Sequence, residues 1–263
     1  MGARPPRSDR LGRPIGSADL TAQDEGTRTA VGAARERGDR IVVVAAVALV
    51  LLPLVVSAAA VGLGVGEPWY PWSDWALTEM QVRDVGRHPV ELGLYSRDGW
   101  GHPGPILFYL LALPYRLVGG HPVGLLLGAL VINGASVVAM AWLARRRGGV
   151  PLLLCTLLAG AVVLSALGAD LWQDPWVCYV TTLPFGVLLF LSWAMACGDR
   201  WALPAGAVLT TFLAQTHVGF VAVAVPVFLW GAGSLAWRVG RSGERGTGSR
   251  WSCGGGIERC PSP

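Results

Sequence analysis

Lysine is absent from this chain: all 21 basic residues are arginine, against 17 acidic ones. Charge of either sign is scarce, at 14% of residues, where an ordinary soluble domain carries roughly 25%. Hydrophobic residues make up 52%, and the mean hydropathy is +0.48. That balance excludes a disordered chain, which needs low hydrophobicity and high charge, and it argues against a soluble globular enzyme. No Cys-x-x-Cys or Cys/His metal spacing occurs. No P-loop, Gly-x-Gly-x-x-Gly, His-Glu-x-x-His or Gly-x-Ser-x-Gly motif is present to carry a soluble-type active site. The five cysteines do not form a disulfide framework: Cys155, Cys178 and Cys197 lie in or beside apolar segments, and Cys253 and Cys260 lie near the C-terminus. The absence of lysine together with 36 glycines reflects a GC-rich coding sequence more than a mechanism.

Long apolar runs dominate instead. A helix rises about 1.5 Å per residue and a bilayer core is ~30 Å thick, so about 20 apolar residues span it. The runs 41–63, 123–143, 150–168, 177–197, 201–216 and 218–237 read as six spans of an all-α, polytopic membrane protein. Residues 201–216 are short for a crossing and need little tilt or a locally thinned bilayer. Ser57–Ala60 resembles a signal-peptide cleavage site, but the arm before it is too long and the apolar run exceeds a normal signal core. Residues 1–40, rich in arginine, glycine and acids, read as a disordered cytoplasmic arm. The long loop 67–121 lies on the outer face and carries juxtamembrane helices.

Charge sets the orientation. Pro103 to Val118 is apolar but contains Pro114 and Arg116, and is short for a span. If it lies on the outer leaflet, the N-terminal arm, Arg145-Arg146-Arg147, Arg200 and the C-terminal tail share one side with a net charge of +8. The two loops on the other side then carry −4, and together these return the chain's +4. If Pro103–Val118 crossed, the arginine triplet would face outward, against the positive-inside rule. Both termini are therefore expected in the cytoplasm of a multi-pass protein of the cell membrane. The basic balance is a topology signal and not the footprint of a nucleic-acid binder. Trp69, Trp72, Trp75, Trp100, Trp172 and Trp176 fall in the outer loops, and Trp142, Trp193, Trp201 and Trp237 near the inner boundaries, as rings at headgroup level do.

Four polar clusters on separate segments converge on the outer face. The long loop opens with Trp72-Ser73-Asp74-Trp75 and Glu79 follows. Ser73 or Asp74 suits the cap of a helix starting near Trp75; the alternative is that Asp74 is a carboxylate placed for general-base work or metal ligation. The loop ends with His102-Pro103-Gly104-Pro105. The second loop carries Asp170 and Asp174, either solubilising charges or groups facing a cavity. Gln215-Thr216-His217 sits between two apolar runs, either as a plain turn or as polar groups with partners to find.

In this order the clusters resemble the GT-C class of membrane glycosyltransferases, related to the protein O-mannosyltransferases and the lipid A aminoarabinose transferases. The residues that carry the resemblance are Asp74, His102-Pro103, Arg145-Arg146-Arg147, Asp174-Pro175 and Thr216-His217-Val218-Gly219. The resemblance implies transfer of a sugar from a polyprenyl-phosphate donor to an acceptor on the outer membrane face. It implies Asp74 as catalytic base, and Glu79, His102 and His217 as donor-phosphate or substrate contacts. It implies Asp174 and Asp170 as ligands of a divalent metal ion. The pattern departs from the family where its usual Asp-Glu pair is Asp74-Trp75, where Pro-Pro is Pro-Gly-Pro, and where His217 stands in place of a lysine. Family members also carry further spans and a C-terminal domain, whereas residues 238–263 read as a disordered tail of Gly/Arg/Ser-rich sequence. The expectation is of a truncated or frameshifted product, an inactive fragment included. The alternatives are a non-enzymatic multi-pass protein or a transporter.

Overall fold

Helix α1 (residues 37–48) comes first in the computed structural model, which describes residues 37–48, 51–52, 55–56, 58–60, 63, 69–96 and 99–248. Much of the expected span 41–63, the arm 1–36 and the tail beyond Gly248 lie outside the described residues. The remaining helices are α2 (Asp74–Asp84), α3 (Ile106–Leu117), α4 (Val123–Leu167), α5 (Val177–Val180), α6 (Thr182–Ala196), α7 (Ala202–Thr216) and α8 (Val221–Gly248). Short 3-10 turns cover Ala169–Trp172 and Val218–Phe220. No strand forms among the described residues; only isolated bridges occur, between Val85 and His88 and between Tyr95 and Gly101.

Three helical stretches are long and apolar enough to cross a bilayer: Val123–Leu167, Val177–Ala196 and Val218–Arg241. The protein buries little of their apolar surface. Only 12% of the most apolar window of the first stretch and 17% of that of the third are buried within the chain. Val131, Leu158, Val208 and Leu229 are each more than half exposed. Apolar surface on that scale is unstable in water and calls for another apolar phase. This is the architecture of an all-helical membrane protein. Six crossings are more than these three stretches supply. The sequence reading counts α4 twice and adds 41–63 and α7, which at Ala202–Thr216 is a shorter apolar helix.

Helix α4 is broken at Gly149, where φ is 67° and ψ −156°. Such a backbone favours glycine, and Pro151 two residues on cannot supply the amide that would continue the ladder. The two arms meet just after Arg145-Arg146-Arg147. Here Arg147 donates to Asp199 and to the Ala194 carbonyl, and Arg146 lies 3.7 Å from Asp199. The Arg146 guanidinium also stacks against Trp142 and Trp201, about 5.5 Å from each ring. The elbow of α4 is thus tied to the α6–α7 turn.

Small residues let these helices pack closely. A Cβ on Gly124 would stand 2.4 Å from the Tyr115 backbone, and one on Gly128 2.5 Å from Leu111. The Gly124-x-x-x-Gly128 face is therefore what seats α4 on α3. Helix α6 is central and touches α4, α7 and α8, with Gly231 of α8 against the Ser192 backbone. Buried Asn133 of α4 donates to the carbonyls of Leu171 and Trp172, each at 3.0 Å, and so anchors the second loop. Helix α8 continues past Trp237 to Gly248.

Candidate functional site

Helix α2 begins from an unusual backbone. Ser73, at its N-cap, has φ 50° and ψ −125° and makes no side-chain capping bond. It has the one positive φ outside glycine among the described residues. A non-glycine residue there costs of order 1–3 kcal/mol, and such residues cluster at functional sites. The Ser73 carbonyl starts the helix by accepting from the amides of Ala76 and Leu77. Asp74 is therefore the first residue of the helix and not its cap, and its carboxylate is free to turn elsewhere.

It turns to the second loop. The Trp176 indole N–H donates to Asp74 Oδ2 at 3.1 Å. The reverse bond also exists: the Trp75 indole N–H donates to Asp174 Oδ1 at 2.6 Å. The same Asp174 oxygen accepts the Trp176 backbone amide at 2.8 Å. Each carboxylate is thus held by the tryptophan that neighbours the other. The crossed pair lines an open pocket of about 400 Å³ together with Trp72, Ser73, Leu167 and Tyr179. Two aromatic pairs wall it: Trp72 with Trp75, and Trp176 with Tyr179. Behind Trp75 and Asp174 lies a second hollow of about 280 Å³, lined by Trp69, Leu126, Gln173 and Pro175. The Cys178 thiol lies within electrostatic reach of both carboxylates.

His102 and His217 come together beside this pocket. The extended chain around His102 pairs with Gly93–Leu94 through two backbone bonds of 2.9 Å, and the Gly104 amide donates to the Gln215 carbonyl. That contact is tight, since a Cβ on Gly104 would fall 2.4 Å from the Gln215 side chain. The two imidazoles lie against each other at a 38° tilt with centroids 4.6 Å apart, and Trp100 packs edge-on against His102. His102 Nδ1 accepts the Val218 amide, and His217 Nδ1 accepts the Gly219 amide. Burial holds the His102 pKa below the ordinary value, His217 lowers it further, and Asp74 opposes the fall. Burial also lowers the pKa of His217. In this setting both are neutral hydrogen-bonding rings at neutral pH, without the fixed charge of a lysine.

Of the residues singled out from the sequence, Asp74, Asp174, His102 and His217 gather in this region. Asp170 falls in the 3-10 turn, and its side chain lies outside the described residues. Glu79 belongs to a different cluster. It is buried and accepts from Tyr115 Oη at 2.8 Å and from Arg83 at 2.7 Å, while Arg83 Nε donates to the Tyr115 hydroxyl. Burial raises the Tyr115 pKa, and bonding to Tyr115 and Glu79 raises that of Arg83. Among the described residues no group of three His, Cys, Asp or Glu side chains assembles for a metal ion. One oxygen of each carboxylate, Asp74 Oδ2 and Asp174 Oδ1, accepts from these N–H donors.

The role of the tryptophans was not read from the sequence. Trp75 and Trp176 were visible only as interfacial anchors, although each stands within two positions of an acidic residue. No family model, curated protein or solved structure matches this chain.

Proposed function

We propose that the protein is a membrane glycosyltransferase of the GT-C kind, acting on a polyprenyl-phosphate-linked sugar at the outer membrane face. The observation that carries this reading is the pairing of Asp74 and Asp174 in one aromatic-walled pocket. Trp72, Trp176 and Tyr179 offer flat apolar faces for a sugar ring. Oδ1 of Asp74 has no protein partner among the described residues and can accept a proton.

In the transfer, Asp74 takes the proton of an acceptor hydroxyl. The acceptor oxygen bonds to the anomeric carbon as the bond from that carbon to the lipid phosphate breaks, and the phosphate leaves with the electron pair. The Trp176 N–H holds the Asp74 carboxylate in place, and Asp174 positions Trp75 and the loop. No step runs through a metal ion.

The reading includes a topology of six spans with both termini cytoplasmic: 41–63, the two arms of α4, 177–197, 201–216 and 218–237. Two clusters support it. Arg145-Arg146-Arg147 meets Asp199 at one end of the helices, and Asp74, Asp174, His102 and His217 collect where the connecting segments reach the other. The lipid tail of the donor stays in the bilayer while its head enters the loop pocket. A proton-coupled transporter fits less well, because the described buried polar residues of α4–α8, such as Asn133, Ser136, Ser192 and Thr210, are all neutral, where coupling ions need ionisable groups. The test is sugar transfer by membranes carrying Asp74→Asn: loss of transfer with normal expression is expected, and unchanged turnover contradicts the assignment.

A further inference from the structure

A second pocket lies at the far end of α2, sharing no residue with the carboxylate pocket. It measures about 390 Å³ and is lined by Val82, Arg83, Arg87, Tyr115, Arg116, Gly119 and Gly120. That is within the 300–1,000 Å³ usual for ligand pockets. Three arginines line one hollow, and none of them takes part in the transfer step.

Two of the three are held in place. Arg83 is fixed by Tyr115 and Glu79, which occupy its Nε and one terminal nitrogen; the other terminal nitrogen has no hydrogen-bond partner among the described residues. Arg116 donates to the Val85 carbonyl, a neutral partner. It lies over Gly86, where a Cβ would come 3.5 Å from its terminal nitrogen and where φ is +74°. The Arg87 guanidinium has no hydrogen-bond or ion-pair partner among the described residues. Buried Glu79 pairs with Arg83, Asp84 lies between Arg83 and Arg87 in the chain, and Arg87 and Arg116 make no ion pair among the described residues. The opposite wall is the Gly119-Gly120 turn, both at positive φ, with open space beside Gly119. Arginine forks match phosphate oxygens, and bare glycine backbone lets a bulky group approach.

The source of the oxyanion follows from α3. Tyr109, Leu110, Leu113 and Leu117 are 48–77% exposed and follow the spacing of one helical face. Arg116 stands at the end of that face. An exposed apolar stripe ending in an arginine-lined hollow is the arrangement of a helix lying in the headgroup layer. We propose that the Arg83–Arg87–Arg116 pocket binds a phosphoryl oxyanion, the phosphate headgroup of an anionic lipid on the outer leaflet.

The test is native mass spectrometry of the full chain in detergent, offered phosphatidylglycerol, phosphatidylcholine or inorganic pyrophosphate. Selective retention of phosphatidylglycerol is expected, weakening as salt rises. Arg87→Gln, which breaks no side-chain hydrogen bond or ion pair among the described residues, should weaken retention about fivefold, and Arg87→Gln with Arg116→Gln by more than twenty-fold, from roughly one basic contact each plus the lost geometry. Arg87→Lys should keep most of it, and Asp74→Asn all of it. Equal retention of the two lipids, or retention unaffected by Arg87→Gln, overturns the proposal. Binding of pyrophosphate that depends on Arg87 without any lipid preference overturns the lipid assignment and leaves a soluble anion as the ligand. Because Asp74→Asn is a separate arm, failure here and failure of the transferase reading are distinguishable.

Discussion

The Trp176 indole N–H meets Asp74 Oδ2 at 3.1 Å, across 102 positions of sequence. With its counterpart from Trp75 to Asp174, it makes the two loops one structure. A carboxylate held by an N–H is stabilised in its ionised form and kept to one orientation. A base needs that fixed orientation.

Trp176→Phe keeps the aromatic wall and removes the donor. A hydrogen bond to a charged group is worth about 1.5–3 kcal/mol, so transfer should fall by roughly 10- to 100-fold. Donor binding should be retained, because the aromatic wall of the pocket stays in place. A fall in turnover matched by an equal loss of folded protein in detergent melts would show that Trp176 acts on the fold alone.

Trp75→Phe and Asp174→Ala remove the two ends of one bond. If that bond is what ties the second loop to α2, the double variant should lose little more stability than either single variant, with a coupling of about 0.5–3 kcal/mol. Thermal unfolding in detergent, followed by tryptophan fluorescence, measures the cycle; additive losses would contradict the link.

The histidine pair predicts acid lability. Both rings have pKa values below the ordinary 6.5 when folded, so between the unfolded and folded values the unfolded chain binds more protons. Stability is therefore full above about 6.5 and declines as pH falls from there toward the folded pKa values. His102→Gln or His217→Gln should flatten that part of the stability–pH curve, read as thermal midpoint against pH. An equal slope in both variants and the parent would refute the pairing.

Close helix contact through Gly124 predicts a large steric effect. Its missing Cβ would meet the Tyr115 backbone at 2.4 Å, and backbone cannot yield as a side chain can. Gly124→Ala should cost about 1–3 kcal/mol, whereas Gly160→Ala, with open space around it, should be near neutral or slightly stabilising. The same fluorescence melts distinguish the two.

The apolar runs made the long helices legible: α4 starts at Val123 as expected, and the backbone breaks at Gly149, between the runs 123–143 and 150–168. Arg147 and Asp199 were placed on one side from charge alone, and they meet. The charge argument also grouped Asp74, Asp174, His102 and His217; in the structure Asp74 and Asp174 share one pocket, and His102 and His217 are in contact. What was hidden is whatever depends on side-chain direction. Glu79 stands five residues after Asp74, yet its place on α2 points it to Tyr115 and Arg83. Ser73 carries its strain in φ, which no composition signals. The crossed tryptophan bonds join residues about a hundred positions apart, where no local pattern reaches. Arg83, Arg87 and Arg116 come from two helices and one loop, and nothing in their spacing announces a pocket.

The central claim is that Asp74 removes the acceptor proton. The most direct measurement is single-turnover transfer from a radiolabelled polyprenyl-phosphate sugar by purified protein in nanodiscs, comparing the parent with Asp74→Asn. General-base catalysis typically supplies 10²–10⁴-fold, so the account predicts a loss of at least about a hundredfold in the chemical step with donor binding retained. Transfer by Asp74→Asn at the parental rate would contradict it.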